Sequence, residues 1–263
     1  MLTGSAQPEC SIRAWQLPSQ KCVRNLKGHK ESITSLLPMK DGTTLLSASQ
    51  ENHILIWNMV TGKLFNKVTQ HTKAINGLHL IKDNSRFLSI SDDGTIVVWK
   101  IIYAYSNELQ RRVFSSCEVD KVFEDVCEIT SINSSTDNYN IIITGGKDSK
   151  IKIWNIEKNQ CIKEVVGHGL GVGATIFFEN PFKIESYEKY LIMSMGYMEE
   201  CLKIAKSSSS YAEVIVRDSE IYIDRAGSGH YKMQLVKSKG SDALKLFTIS
   251  NRPGKGFMIW NVE

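Results

Sequence analysis

The chain has 263 residues, 42% of them hydrophobic, a net charge of +4 and a pI near 8.6, so it can bury a sizeable core and is only mildly basic. No more than two Lys or Arg stand in a row, which gives no stripe for a polyanion. No apolar run approaches the roughly 18 residues of a membrane-spanning helix, and MLTGSAQPEC carries neither the basic nor the apolar region of a secretory signal. The six cysteines show no CxxC spacing, which argues against a zinc site and for a reducing compartment, cytoplasmic or nuclear.

In chain order the sequence reads as strands and turns. LTGSAQPECSIRAW aligns with LLSASQENHILIW (45–57), so SIRAW (11–15) is a strand that follows a turn, with the end of another strand before it. Between His71 and Trp99 the runs AINGLHL, RFLSI and TIVVW are strand-length and rich in β-branched and large apolar residues. Asp92-Asp93-Gly94 joins the last two as a hairpin turn, because Gly accepts positive φ and Asp bonds its own backbone. Such a meander cannot bury a core alone and needs neighbours of its own kind. Residues 101–122 form an insertion, in which NELQRR (107–112) has helix formers without Gly or Pro and predicts a surface turn of helix. GHGLGVGAT (167–175) alternates glycines, but the strand pattern TIFF follows instead of the helix that a phosphate loop requires. CLKIA (201–205) is a degenerate strand end and KSSSS (206–210) a polar linker with hydroxyls open to phosphorylation. YAEVIVRD and EIYID are strand-like, and GFMIW (256–260) is the final strand.

A register runs through these elements. The tryptophans Trp15, Trp57, Trp99, Trp154 and Trp260 are separated by 42, 42, 55 and 106 residues, and Ala205 falls midway in the last gap. Ten residues before these six positions stand Ser5, Ser47, Ser89, Thr144, Met195 and Ser250; six before stand Glu9, Glu51, Asp93, Asp148, Glu199 and Gly254. His29 and His71 each lie 28 residues before a tryptophan, while His168 lies 37 before Ala205 and His230 lies 30 before Trp260.

This register resembles the WD-repeat family of β-propellers, whose repeats begin near Gly-His and end near Trp-Asp. The resemblance extends over essentially the whole chain. It implies an all-β fold, a β-propeller of four-stranded antiparallel blades with about five complete and one partial, in a single domain over residues 1–263 drawn from a seven-blade propeller. Lys21 to Leu26 is then an outer fourth strand. The chain is expected to begin and end mid-blade as a fragment of a longer protein, with unpaired blade edges through which it could self-associate. One departure is consistent: Gln16, Asn58, Lys100, Asn155 and Asn261 stand where the family has Asp after Trp. In the family the His, Ser/Thr, turn carboxylate and Trp form a structural hydrogen-bond tetrad. The resemblance implies a complete tetrad at His71, Ser89, Asp93 and Trp99, and a near-complete one at His29, Ser47, Glu51 and Trp57. Thr144, Asp148 and Trp154 make a third, with Asp125 at the place of its histidine.

Ser-His-Asp also invites a hydrolase reading, but recurrence with Trp at repeat spacing suits blade construction better than one convergent triad. No Walker, HExxH or GxSxG motif is present, so no cofactor, metal or catalytic residue is assigned. The resemblance implies a non-catalytic scaffold for protein–protein interaction, docking peptides or proteins within a larger complex. Alternatives are a substrate-receptor or regulatory domain of a ubiquitin-ligase or kinase protein, and a subunit of a ribosome-assembly or RNA-processing complex. The receptor reading is weakened because Asn58-Met59-Val60-Thr61 and Asn155-Ile156-Glu157-Lys158 lack the Asp and Arg that such receptors carry after Trp. The residues preceding each turn carboxylate, Pro8, Gln50, Asp92, Lys147, Met198 and Pro253, are expected to point outward. Of these, Gln50, Asp92 and Lys147 are expected to share one contact surface. Their mixed charge suits a peptide or protein and not nucleic acid.

Overall fold

The structure, a computed structural model, describes residues 1–81, 85–135, 140–166, 168–169, 171–179, 190–196, 202–206, 232–237, 244–249 and 257–262. Apolar runs bounded by Gly, Asp and Asn turns fold as strands throughout, and no helix occurs among the described residues. The chain is all-β, built of the antiparallel blades of a β-propeller. It divides into two compact units, Met1–Ile129 and Thr130–Glu263.

In the first unit, β1 (Leu2–Gly4), β2 (Ser11–Gln16) and β3 (Lys21–Lys27) form one sheet in that order. A four-stranded sheet follows from β4 (Ile33–Pro38), β5 (Thr44–Ser49), β6 (His53–Asn58) and β7 (Lys63–Thr69). A second four-stranded sheet has β8 (Ile75–Leu80), β9 (Arg86–Ser91), β10 (Thr95–Ser106) and β11 (Arg111–Glu124). In the second unit, β12 (Ile129–Ser134, beginning at the boundary residue), β13 (Ile141–Gly146), β14 (Lys150–Asn155) and β15 (Gln160–Val166) make a four-stranded sheet. Among the described residues two three-stranded sheets follow, from β16 (Val172–Glu179), β17 (Tyr190–Gly196) and β18 (Leu202–Lys206), and from β19 (Lys232–Lys237), β20 (Leu244–Ile249) and β21 (Phe257–Val262). SIRAW, TIFF and residues 257–260 of GFMIW thus lie in strands, and TIFF is part of β16. KSSSS beyond Lys206, YAEVIVRD, EIYID, Met198, Pro253, His230 and Ser250 lie outside the described residues.

Side-chain alternation places the core. Leu55 and Trp57 of β6 turn toward Ile12 and Leu26 of the preceding sheet, whereas Ile54 and Ile56 turn toward Phe87, Val97 and Trp99 of the next. The second and third strands of a blade are therefore buried on both faces and read as near-continuous apolar runs. The fourth strands β3 and β7 are mostly exposed. In the second unit, Ile143, Ile151 and Ile153 pack with Val165 and Val172. Each of β2, β6, β10 and β14 carries a register shift against its fourth strand immediately before its tryptophan, at Ala14/Trp15, Ile56/Trp57, Val98/Trp99 and Ile153/Trp154. A bulge there redirects the indole.

The NELQRR helix is not formed. Residues 107–110 are the turn of a long hairpin, and Arg111 and Arg112 open its second strand; β10 has 12 residues and β11 has 14, paired out to Ser106↔Arg111. Six residues are too few to nucleate a helix, and the flanking IIYAY and VFSSCEV runs favour strand. The hairpin is anchored to the blade before it. Phe114 N donates to Asp41 Oδ2 at 2.9 Å, and the Phe114 ring meets Phe65 edge-on at 6.4 Å.

Gly94, at φ +80°, closes the β9–β10 turn, and its carbonyl accepts Asp125 N at 2.7 Å. A Cβ at this position would stand 2.6 Å from the Asp125 carbonyl oxygen. Gly94→Ala should therefore lower stability by about 1–3 kcal/mol, from both the backbone conformation and the clash. Urea unfolding checks this; an unchanged midpoint would contradict the close approach.

Candidate functional site

The third blade of the first unit shows how a buried polar cluster grows from strand register. Ser89 on β9 pairs with Val97 on β10, so Trp99, two residues further on the same face, lies over the Ser89 hydroxyl. Trp99 Nε1 donates to Ser89 Oγ at 2.8 Å, and that oxygen is 2.7 Å from His71 Nε2. On its other side His71 Nδ1 lies 2.8 Å from Thr95 Oγ1 and 3.2 Å from Asp93 Oδ2. Asp93 also accepts from Thr72 N at 2.8 Å, Thr95 N at 2.9 Å and Thr95 Oγ1 at 2.6 Å. The network assigns the tautomer: Ser89 donates to Nε2, and the Nδ1 proton faces Thr95 and Asp93. Burial holds the His71 imidazole below its ordinary pKa, against the pull of Asp93. Burial pushes the Asp93 carboxyl upward, but the bonds from Thr95 and Thr72 outweigh it, and the group sits below the usual carboxylate range.

The second blade repeats this with a longer acid. Trp57 Nε1 donates to Ser47 Oγ at 2.8 Å, Ser47 Oγ is 2.7 Å from His29 Nε2, and His29 Nδ1 is 2.8 Å from Glu51 Oε2. A Cβ on Gly28 would meet the Trp57 ring at 2.8 Å, a physical reason for Gly before this histidine. His53 stands where the third blade has Thr95. Its ring stacks on His29 with centroids 5.9 Å apart.

One described sheet sets a base on its turn carboxylate, and an exposed Arg–Glu pair stands at the matching positions of the first. In the second unit, Trp154 Nε1 donates to Thr144 Oγ1 at 2.8 Å, and Asp148 is paired at 2.9 Å with buried Lys152. In the first sheet Arg13 pairs with Glu9 at 2.7 Å. The fixed count of ten residues fails in two places. Trp15 donates to Thr3 at 2.8 Å and not to Ser5, because Thr3 is the residue paired with Arg13, and the turn that follows is two residues longer. Likewise His168 reaches Ser194, 3.0 Å away, and not Met195, since Ser194 is the residue paired with Lys203.

The turn positions divide between the units. Gln50 is exposed, and Asp92 is half-buried with its Oδ1 accepting Asn76 Nδ2 at 2.6 Å. Glu51 O accepts Ile75 N at 3.1 Å while Ala74 O accepts Asp92 N at 3.0 Å, so a single dipeptide ties the two turns together on one face. Lys147 takes the equivalent place in the β13–β14 turn of the second unit and is exposed. Two residues escaped the sequence reading. His53 is hidden because the position four before Trp15, Trp99 and Trp154 is merely polar, as Ser11, Thr95 and Lys150. Val126, 98% exposed, follows Asp125, which is bonded to Gly94, and no periodic signal marks it.

A family model for the WD domain, G-beta repeat, matches residues 20–58, 62–100 and 121–155. The chain is a WD-repeat protein. No curated protein matches it significantly. Each matched WD repeat ends one residue past its tryptophan and begins in or just before the outer strand of the preceding sheet, so the sequence unit straddles two blades. WD repeats form scaffolds for protein–protein interaction and are typically non-catalytic. The Ser-His-Asp set here fits that: Ser89 has no exposed surface and already bonds Trp99 and His71, so its hydroxyl reaches no substrate.

Trp99→Ala should lower stability by about 3–5 kcal/mol, and Ser89→Ala by about 1–3 kcal/mol by orphaning the indole and imidazole. Guanidinium unfolding of each variant measures both. Acid should act in two stages. A histidine held neutral in the fold contributes stability that is full above about pH 6.5 and declines below it, as the unfolded chain takes up the proton first. Asp93, with its pKa depressed, adds a further loss below about pH 3.9. The melting temperature should fall from pH 7 to 5, and His71→Asn should flatten that slope; an unchanged slope would show that His71 is not held neutral.

Proposed function

We propose that the protein is a docking module that captures a peptide or protein on one face of the Met1–Ile129 unit, within a larger complex. The face is made by the β5–β6 and β9–β10 turns and the loops before β4 and β8. The observation that carries this is the division of labour at the turns. Glu51 and Asp93 are consumed by inward hydrogen bonds, while Gln50 and Asp92 precede them on turns tied through Ala74-Ile75. Exposed Lys30 and Lys73 border the same turns, and Val126 adds an apolar side chain beside Gly94. Both charge signs with an apolar contact suit a polypeptide ligand; a polyanion would favour several bases together. Lys147 holds the corresponding turn position in the second unit and belongs to the same reading.

The test is affinity capture with Gln50→Arg, Val126→Asp and Lys147→Glu beside the unaltered chain. Partners retained by the wild type should bind Gln50→Arg and Val126→Asp about tenfold or more weakly, about 1.4 kcal/mol, with melting temperatures unchanged, as surface substitutions usually allow. Capture that survives these changes but is lost on Tyr105→Lys or Leu109→Lys would move the site to the β10–β11 hairpin.

A further inference from the structure

We propose that His29, Glu51 and His53 form a binding site for a divalent transition-metal ion of the zinc class on the second blade. One ligand atom from each of His29, Glu51 and His53 lies within 4.8 Å of the other two. The closest approaches are 2.8 Å from His29 to Glu51 and 3.6 Å from His53 to Glu51. Ligand atoms bound at about 2.0–2.2 Å around a tetrahedral ion stand about 3.4 Å apart. The observed separations bracket that spacing, and small rotations of the Glu51 side chain supply the difference.

His53 is the residue that blade construction does not explain. It is buried, yet its nearest acceptors are Asn52 Oδ1 at 3.4 Å and Glu51 Oε2 at 3.6 Å, neither a good hydrogen bond. In the third blade the same position is Thr95, whose hydroxyl satisfies both His71 and Asp93. An imidazole in that place leaves the tetrad less well bonded and gains a ligand atom aimed at the carboxylate. The acid differs in the same sense: Glu51 carries one methylene more than Asp93, and its Oε2 lies near a nitrogen of each ring.

The surroundings suit a metal centre. Ser47 Oγ holds His29 Nε2, and Ser49 Oγ with Lys30 N holds Glu51 Oε2, so first ligands are oriented by second partners. Binding through His29 Nδ1 displaces the proton that faces Glu51 and moves the ring proton to Nε2, which then donates to Ser47 Oγ. Two neutral imidazoles and one carboxylate give the site a single negative charge. The Glu51 and His53 side chains are 13% and 10% exposed, which leaves an open side for a solvent ligand. Lys67 and Lys30 oppose any cation here. That repulsion acts on every divalent ion alike. The donor set of two imidazoles and one carboxylate disfavours calcium and magnesium, which want several oxygens, and favours ions that bond strongly to imidazole.

The experiment uses the full chain with Zn2+ and Co2+ alone as probes, read by calorimetry, thermal shift and the visible spectrum of Co2+. Two variants copy the third blade and keep the tetrad: His53→Thr and Glu51→Asp. The wild type should bind one more ion than either variant, or bind it at least tenfold more tightly. Zn2+ should raise its melting temperature and not theirs. Its Co2+ complex should show tetrahedral d–d bands that the variants lose, without the thiolate charge transfer of a cysteine site. Equal Zn2+ affinity and stoichiometry in all three chains would overturn the proposal, as would a Co2+ spectrum unchanged by both substitutions.

Discussion

One hydrogen bond recurs in four of the described blades: an indole N–H on the third strand donating to a hydroxyl on the second. It measures 2.8 Å in Trp15–Thr3, Trp57–Ser47, Trp99–Ser89 and Trp154–Thr144. The donor is always the residue just after the bulge, and the acceptor is always paired with the residue two before the tryptophan. An indole here fills the gap between neighbouring sheets and must still satisfy its N–H out of water. A hydroxyl does so and has its own hydrogen left to give, which a backbone carbonyl would not. The bulge and the bond thus require each other.

Around this constant the charged partners vary, and the variation follows one physical rule. A carboxylate at a partly buried turn must be paired or hydrogen-bonded. Where a histidine reaches it, the residue two before the tryptophan is apolar, as with Leu55 and Val97. In the β12–β15 sheet that residue is basic, and Lys152 pairs with Asp148; in the first sheet Arg13 likewise pairs with Glu9. The two solutions are not equal. Lys152 is buried with its ammonium on the acid, whereas Arg13 and Glu9 lie at the surface and contribute little to stability.

Legibility in the sequence followed the same division. Strand order, the tryptophan register and the tetrads of the second and third blades were readable because period-2 alternation and fixed turn length both act within about ten residues. The count broke at Ser5 and Met195, where the turns are longer: position along the chain was counted, but strand pairing is what selects the acceptor. The helix expected at NELQRR failed through tertiary override. Its propensity is real but small per residue, and cross-strand pairing of β10 with β11, anchored by Asp41 and Phe65, outweighs it. His53 was unreadable for another reason. Its polarity fits the strand start, and only three-dimensional proximity to Glu51 and His29 distinguishes it from Thr95.

The turn that builds the blade also creates the surface that can vary. Asp93 must face inward to meet His71, Thr72 and Thr95, and successive residues in a tight turn cannot all face the same way. Asp92 is therefore turned away, with its backbone N–H held by Ala74 O and its side chain left to face Asn76 and solvent. The same constraint acts on Gln50 through Glu51. Backbone bonds hold Gln50 and Asp92, so their side chains can vary with little effect on the tetrad beneath. A rigid frame whose outward positions carry no structural duty lets partner specificity change at little cost to stability. The departure from Asp after Trp fits the same logic. Asn58 and Asn155 retain the side-chain oxygen that accepts the turn N–H groups of Val60, Thr61 and Lys158, and give up only the charge.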